Sequence, residues 1–249
     1  MLKQKRPEIK LIALDMDGTL LNEHHEVSDE NRQAIKDAEN RGVKVVLSTG
    51  RSLKTAKDYV LSLELSSYLV TVNGSEIWGP DGELVERTPV ATEHIQWMHD
   101  LSRQNNAKFW AISTENNWNN EMPEDVLSQE WLKFGFHIEE DAIREKVLKE
   151  LEAKGFFEIS NSSLVNIEVN AIGINKAKGL QKVCSLLGIS MENVMAVGDS
   201  LNDIAMITEA GLGIAMGNAQ ETVQKAADDI TGKNTENGVA QAIKKWVLS

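Results

Sequence analysis

The chain lacks most of what would place it outside the compact globular class. It has one cysteine, Cys184, so an intrachain disulfide and any multi-cysteine zinc site are excluded. Cys184 shares a helical face with Leu180, Val183 and Leu187, which assigns it to a core. No apolar run approaches the ~20 residues that a membrane span requires, and the basic opening MLKQKRPEIK leads into a strand rather than into a signal-peptide apolar region. A cytoplasmic location is expected. Positive charge is also scarce: 26 Lys and Arg against 38 Asp and Glu give a net charge of -12, which argues against nucleic-acid binding. No HExxH or Cys/His cluster, internal repeat, low-complexity segment or Pro-rich linker is present.

What is present is a real core, 41% hydrophobic over 249 residues, and three apolar runs that each deliver polar groups at their carboxyl ends. Leu11 to Leu14 ends on Asp15 and Asp17, Val43 to Ser48 on Thr49-Gly50-Arg51, and Asn193 to Val197 on Gly198-Asp199-Ser200-Leu201-Asn202-Asp203. Continuous short apolar runs are the pattern of parallel strands buried on both faces. Ligands in such sheets bind beyond the carboxyl ends of the strands. Two adjacent carboxylates repel, and a hard divalent cation such as Mg2+, shared with a phosphate, relieves that repulsion.

Helices alternate with the strands at both ends of the chain. Ser28 can cap a helix that stops before Gly42, Leu53 to Leu63 forms a second, and a strand follows near Leu69 to Val72. The alternation resumes with a helix from Lys176 to Leu187, a strand at Val194, a helix near Asn202 to Thr208, a strand at Leu212 to Ala215 and two final helices. This is an α/β fold built on a doubly wound parallel sheet.

The middle differs. Ten of the eleven Trp and Phe residues lie between Trp78 and Phe157. There the pattern predicts a hairpin around Gly79-Pro80-Asp81-Gly82, helices at Thr92 to Gln104 and Asp141 to Glu152, an acidic helix near Glu124 to Lys133, and strands at Lys108 to Ser113, Phe156 to Ser160 and Leu164 to Val169. An α+β cap, 82–171, is therefore expected to interrupt a discontinuous core formed by 1–81 and 172–249, with hinges near Asp81 and Ile172. The aromatic set reads as cap core, with Trp78 or Trp118 as candidates to line the substrate entrance.

DMDGTLL, then STGR, then the lysine of Ile174-Asn175-Lys176, then GDSLND resemble, in order and spacing, the four motifs of haloacid dehalogenase-like hydrolases. The inserted cap resembles that of the Cof-type (IIB) sugar-phosphatase branch, C2B in type. The resemblance implies a Mg2+-dependent phosphatase acting on a small phosphorylated metabolite such as a sugar or polyol phosphate, with no obligate protein partner. Asp15 would be the nucleophile and Asp17 the acid and base, its carbonyl also binding the metal. Asp199 would be a direct metal ligand, and Asp203 would hold a metal-associated water or orient Lys176. Met16, Thr49, Gly50, Lys176 and Asn202 would cradle the phosphate.

Other readings of the same residues stay open. Thr49 and Asn202 could be helix caps alone, Lys176 or Lys178 could sit on a solvated face, and Arg51 could reach the substrate or pair with a core carboxylate. A phosphotransferase or mutase of the same family, or a phospho-receiver signalling domain, would also place acids at strand ends. Receivers, however, are half this length and have no cap. His24 and His25 are adjacent and would point opposite ways if extended, and Gly211 to Gly217 does not follow the first strand as a dinucleotide loop would.

Overall fold

The computed structural model describes residues 8–249; residues 1–7, most of the basic opening segment, lie outside the described residues. The chain begins with β1 (Leu11–Leu14), α1 (Asp29–Asn40), β2 (Lys44–Ser48), α2 (Leu53–Ser62), β3 (Leu69–Thr71), β4 (Glu76–Trp78) and β5 (Leu84–Arg87). The middle holds α3 (Thr92–Gln104), β6 (Lys108–Ser113), β7 (Asn117–Asn119), β8 (Trp131–His137), α4 (Asp141–Glu152), β9 (Phe157–Ser160) and β10 (Asn166–Ala171). It closes with α5 (Lys176–Leu187), β11 (Val194–Gly198), α6 (Ile204–Glu209), β12 (Leu212–Ala215), α7 (Glu221–Ala226), β13 (Asp229–Ile230) and α8 (Gly238–Ile243).

The strands form two sheets. One has eight strands in the order β13-β12-β11-β1-β2-β3-β4-β5, parallel from β13 to β3 and antiparallel thereafter. β1 lies at its centre with all four residues buried, which explains their unbroken apolar character. Strand order reverses on either side of β1, so the edge where β1, β2 and β11 end is a topological switch point. Ser28 caps α1 by accepting from the Asn31 N–H at 3.2 Å, and Gly42 follows at φ +82°.

The second sheet is antiparallel, in the order β7-β6-β8-β10-β9. Its alternation separates two faces. Phe134, Phe136, Ile167 and Val169 pack with Ile95, Met98 and Val147 of α3 and α4 in one apolar cluster. Glu168 and Asn170, the alternating residues of β10, point instead at the eight-stranded domain, where both find hydrogen-bond partners.

Three expectations change. The segment 124–133 is not an acidic helix: the Asp125 carboxylate accepts the N–H groups of Leu127 and Ser128 in a single 3-10 turn, and the chain then enters β8 at Trp131. Tertiary pairing between β6 and β10 decides the state of WLKFGFH, overriding its charge pattern. The boundary at 81/82 falls inside the β4–β5 hairpin, both of whose strands belong to the large sheet; the chain crosses to the second sheet after Arg87. The helix near Asn202 is broken into a 3-10 turn, Leu201–Asp203, and α6, because the Asp203 carboxylate takes up the N–H groups of Asp199 and Ser200.

β8 carries one extra residue. Ile112 pairs with Lys133 and Ser113 with Trp131, so Leu132 forms a β-bulge. Trp131 packs with the helices, while Leu132 packs on Val72 and Lys133 reaches Gly50, both in the other domain.

Candidate active site

β1 ends in Asp15, which is buried. Its Oδ1 accepts from Lys176 Nζ at 2.5 Å, and the same ammonium donates to Asp203 Oδ1 at 2.6 Å. Lys176 enters from the first turn of α5, capped by Asn175 through the Lys178 N–H, and is completely buried. Lys178, two residues on, is exposed. Burial opposes the charge on Lys176, but Asp15 and Asp203 more than offset it and hold its pKa above the usual lysine value.

Asp15, Asp199 and Asp203 each offer a carboxylate oxygen within 4.8 Å of the others. Three carboxylates against one ammonium leave two negative charges uncompensated. Burial, then Asp203, push Asp199 up to about 7, and the same two causes, opposed by Lys176, raise Asp15 well above the usual carboxylate range. A divalent cation would remove that excess, so the donor set fits one. Asp203 is the weakest candidate ligand of the three, since Oδ1 accepts from Lys176 while Oδ2 accepts from the Asp199 and Ser200 N–H groups at 2.9 and 3.1 Å. Asp199 is held by Thr19 Oγ1 at 3.1 Å, and Ser200 Oγ lies 3.0 Å from its other oxygen.

Asp17 is half exposed and engaged by Arg51, which donates Nε to Oδ2 at 2.7 Å and Nη2 to Oδ1 at 2.6 Å. Arg51 thus pairs with a carboxylate of the core domain and also lines the cavity described below. His25 Nδ1 stands 3.8 Å from Asp17 Oδ1; His24 is turned to Glu23. Thr49 is buried, its Oγ1 accepting from the Arg51 N–H, and its carbonyl accepts from Asn73 N–H. Met16 is buried in the core, its carbonyl accepting from the Thr19 and Leu21 N–H groups. Asn202 Nδ2 points at Asn73 Oδ1, 3.4 Å away. The turn carrying Asn73 is unusual, with Val72, Asn73 and Gly74 at φ +50°, +57° and +100°. A β-branched residue in that region costs on the order of 1–3 kcal/mol; here the Val72 N–H is tied to the Arg51 carbonyl at 2.9 Å.

A cavity of about 230 Å3 lies at this edge. The large-sheet domain contributes Asp15, Asp17, Gly50, Arg51, Ser200 and Asn202; the inserted domain contributes Lys133, Ser162 and Glu168. The insert is closed over the core: Asn161 O accepts from the Asn202 N–H at 3.0 Å, Gln220 Nε2 donates to Asn161 Oδ1, and Lys133 Nζ donates to Gly50 O at 2.9 Å. Lys133, Glu168, Ser162 and Asn73 are site residues that sequence reasoning did not single out. A charged residue alternating with apolar ones, as in NIEVNA and WLKFGFH, was the available signal. Trp78 and Trp118 do not line this cavity: Trp78 borders a separate one with Ser52, Glu76 and Arg87, and Trp118 packs on Trp131. Among the described residues, no helix is long and apolar enough to cross a membrane.

An acid cluster and a buried lysine at the switch point of a doubly wound sheet, under an inserted α+β cap, define a class of hydrolase. The family model for haloacid dehalogenase-like hydrolases matches residues 12–138 and 124–243, and the chain belongs to that family, in its Cof-type branch. It is 59% identical over 241 residues, 97% of each chain, to the 5-amino-6-(5-phospho-D-ribitylamino)uracil phosphatase YcsE of Bacillus subtilis (strain 168). A haloacid dehalogenase-like hydrolase from B. subtilis superimposes with TM-score 0.88 at 26% identity, covering 95% of this chain and 99% of the other. A subclass IIB sugar phosphatase does so with TM-score 0.82 at 25% identity, covering 96% and 100%. The enzyme class is that of a phosphatase.

Proposed function

We propose that this chain is a Mg2+-dependent phosphatase that hydrolyses a phosphorylated polyol, 5-amino-6-(5-phospho-D-ribitylamino)uracil, through an aspartyl-phosphate on Asp15. The observation that carries the chemistry is Asp15 at the end of β1, fixed by a fully buried Lys176 that is itself fixed by Asp203. Identity to the ribitylaminouracil phosphatase across nearly the whole of both chains supports the substrate.

Asp15 attacks the phosphorus in line as the leaving oxygen departs. Asp17, released from Arg51, protonates that oxygen and afterwards takes a proton from the water that hydrolyses the acyl phosphate. Lys176, Asn202, the Thr49 hydroxyl and the Gly50 and Met16 amides hold the phosphate oxygens, the α2 start contributing its dipole. Asp15, Asp199 and the Asp17 carbonyl would hold Mg2+, with Asp203 acting behind them; the ion supplies charge neutralisation between carboxylates and phosphate. On this reading residues 88–171 act as the cap, which excludes bulk water while the phosphoryl group moves. The protein works in the cytoplasm on a small molecule and needs no protein partner.

The test is phosphate release from a panel of metabolites with Mg2+, including hexose phosphates, phosphoglycolate and the ribitylaminouracil phosphate. The last should give the highest kcat/KM. Another substrate exceeding it tenfold would overturn the assignment. In 18O-labelled water the released phosphate should carry label, whereas a phosphotransferase would pass the group to an alcohol.

A further inference from the structure

We infer that Lys133 and Glu168 read the hydroxyl groups of the leaving alcohol and so determine selectivity for polyol phosphates; this rests on the phosphatase reading and adds a specificity to it. Both side chains line the cavity that contains Asp15, yet they are 2% and 3% exposed. Two buried opposite charges in a site of this size have a structural explanation only if their hydrogen bonds are filled within the protein.

They are nearly filled, and the remainder is informative. Lys133 has three protons; one goes to Glu168 Oε2 at 3.0 Å and one to Gly50 O at 2.9 Å. Glu168 Oε2 also accepts from Asn73 Nδ2 at 2.7 Å, while Oε1 accepts only from Ser162 Oγ at 2.6 Å. Among the described residues this leaves one donor on Lys133 and one acceptor position on Glu168 Oε1. Burial alone would neutralise Glu168, but Lys133, Ser162 and Asn73 bring its pKa below the usual value, so it remains an acceptor.

A hydroxyl donates and accepts, so a chain of hydroxyls matches one spare donor beside one spare acceptor. An alkyl leaving group would cover both without pairing either, and unpaired buried polar groups are what let a site reject an analogue lacking the hydroxyl. Alternation along β8 accounts for the aim: Lys133 precedes Phe134 of the cap core and so faces the phosphate-side loop, and the Leu132 bulge then lets Trp131 return to the cap core.

The experiment compares D-ribitol 5-phosphate with n-pentyl phosphate, the same carbon chain without hydroxyls, using the full-length protein with Mg2+. In the wild type the kcat/KM ratio should be at least a hundredfold in favour of the polyol. Glu168→Gln, which preserves shape, and Lys133→Met should each reduce that ratio at least tenfold, whatever happens to the rate the two substrates share. Equal losses on both substrates would make the pair a cap latch and overturn the inference. Should a variant fail to fold by circular dichroism, a wild-type ratio near one overturns it independently. Absence of turnover on both substrates and on the ribitylaminouracil phosphate would remove the phosphatase reading itself.

Discussion

Arg51 grips Asp17 through two guanidinium nitrogens, at 2.6 and 2.7 Å, so the carboxylate proposed to serve the leaving group is held aside by a core arginine. Such a fork is directional and fixes the Asp17 side chain until a ligand competes for it. Asp17→Asn should lower kcat about 10²–10⁴-fold, the usual worth of a positioned acid and base. Because Asp17 is half exposed, its melting temperature should change little. Steady-state kinetics and a thermal melt on the same preparation check both parts; a near-normal kcat would take Asp17 out of proton transfer.

Lys176 and Lys178 offer a contrast within one helix. Lys176→Met should remove nearly all activity and also destabilise the protein by about 3–5 kcal/mol, because it leaves buried Asp15 and Asp203 without their counter-charge. Exposed Lys178→Ala should stay within about 0.5 kcal/mol of the wild type. Urea unfolding ranks the two, and the reverse order would contradict the arrangement at Asp15.

The raised carboxyl groups predict how pH and metal interact. Asp199, at about 7, holds its proton more tightly in the folded protein than in an unfolded chain. Its contribution to stability is therefore present at low pH and is lost as pH rises toward and through 7; raised Asp15 acts in the same direction. Metal-free protein should melt lower at pH 8 than at pH 5.5 from this cause. Added Mg2+, which competes with those protons, should raise the melting temperature more at pH 8. Equal gains at both pH values would dissociate the metal from these carboxylates.

Gly18 meets Asp199 at close range. Its φ is +80°, and an added Cβ would stand 2.5 Å from Asp199 Oδ2. Gly18→Ala should therefore displace a carboxylate proposed to bind the metal without changing any functional side chain, weakening Mg2+ binding about 10–100-fold, the range seen when support for a ligand is lost. Titration calorimetry with Mg2+ gives the answer directly.

The order of elements and the core half of the site were legible because each depends on short-range pattern. Asp15, Thr49 and Asp199 directly follow or end apolar runs, and runs of that kind have few alternatives in a chain with this alternation. The cap half was not. Lys133 closes a segment that begins with acidic residues and reads as a helix until β6 and β10 bracket its end, and the bulge beside it is a mismatch between two strands, invisible in either one. Glu168 and Asn73 are 95 residues apart, and their roles arise only where cap and core meet. Arg51 had two compatible fates in the sequence, and its fork on Asp17 emerges only from the geometry.

The single extra residue of β8 also makes the cap sensitive to the parity of chain length. Deleting Leu132 would leave Trp131 and Lys133 on the faces they already occupy and would cost mainly the packing on Val72 and Ile112. Inserting one residue beside it would invert everything upstream and expel Trp131 from between the helices if the bulge is kept, whereas losing the bulge would restore the faces and shift the register of the upstream residues against β6. Length changes at this point are thus unequal in consequence: shortening trims a contact over the core, whereas lengthening forces a choice between an inverted strand and a shifted register against β6.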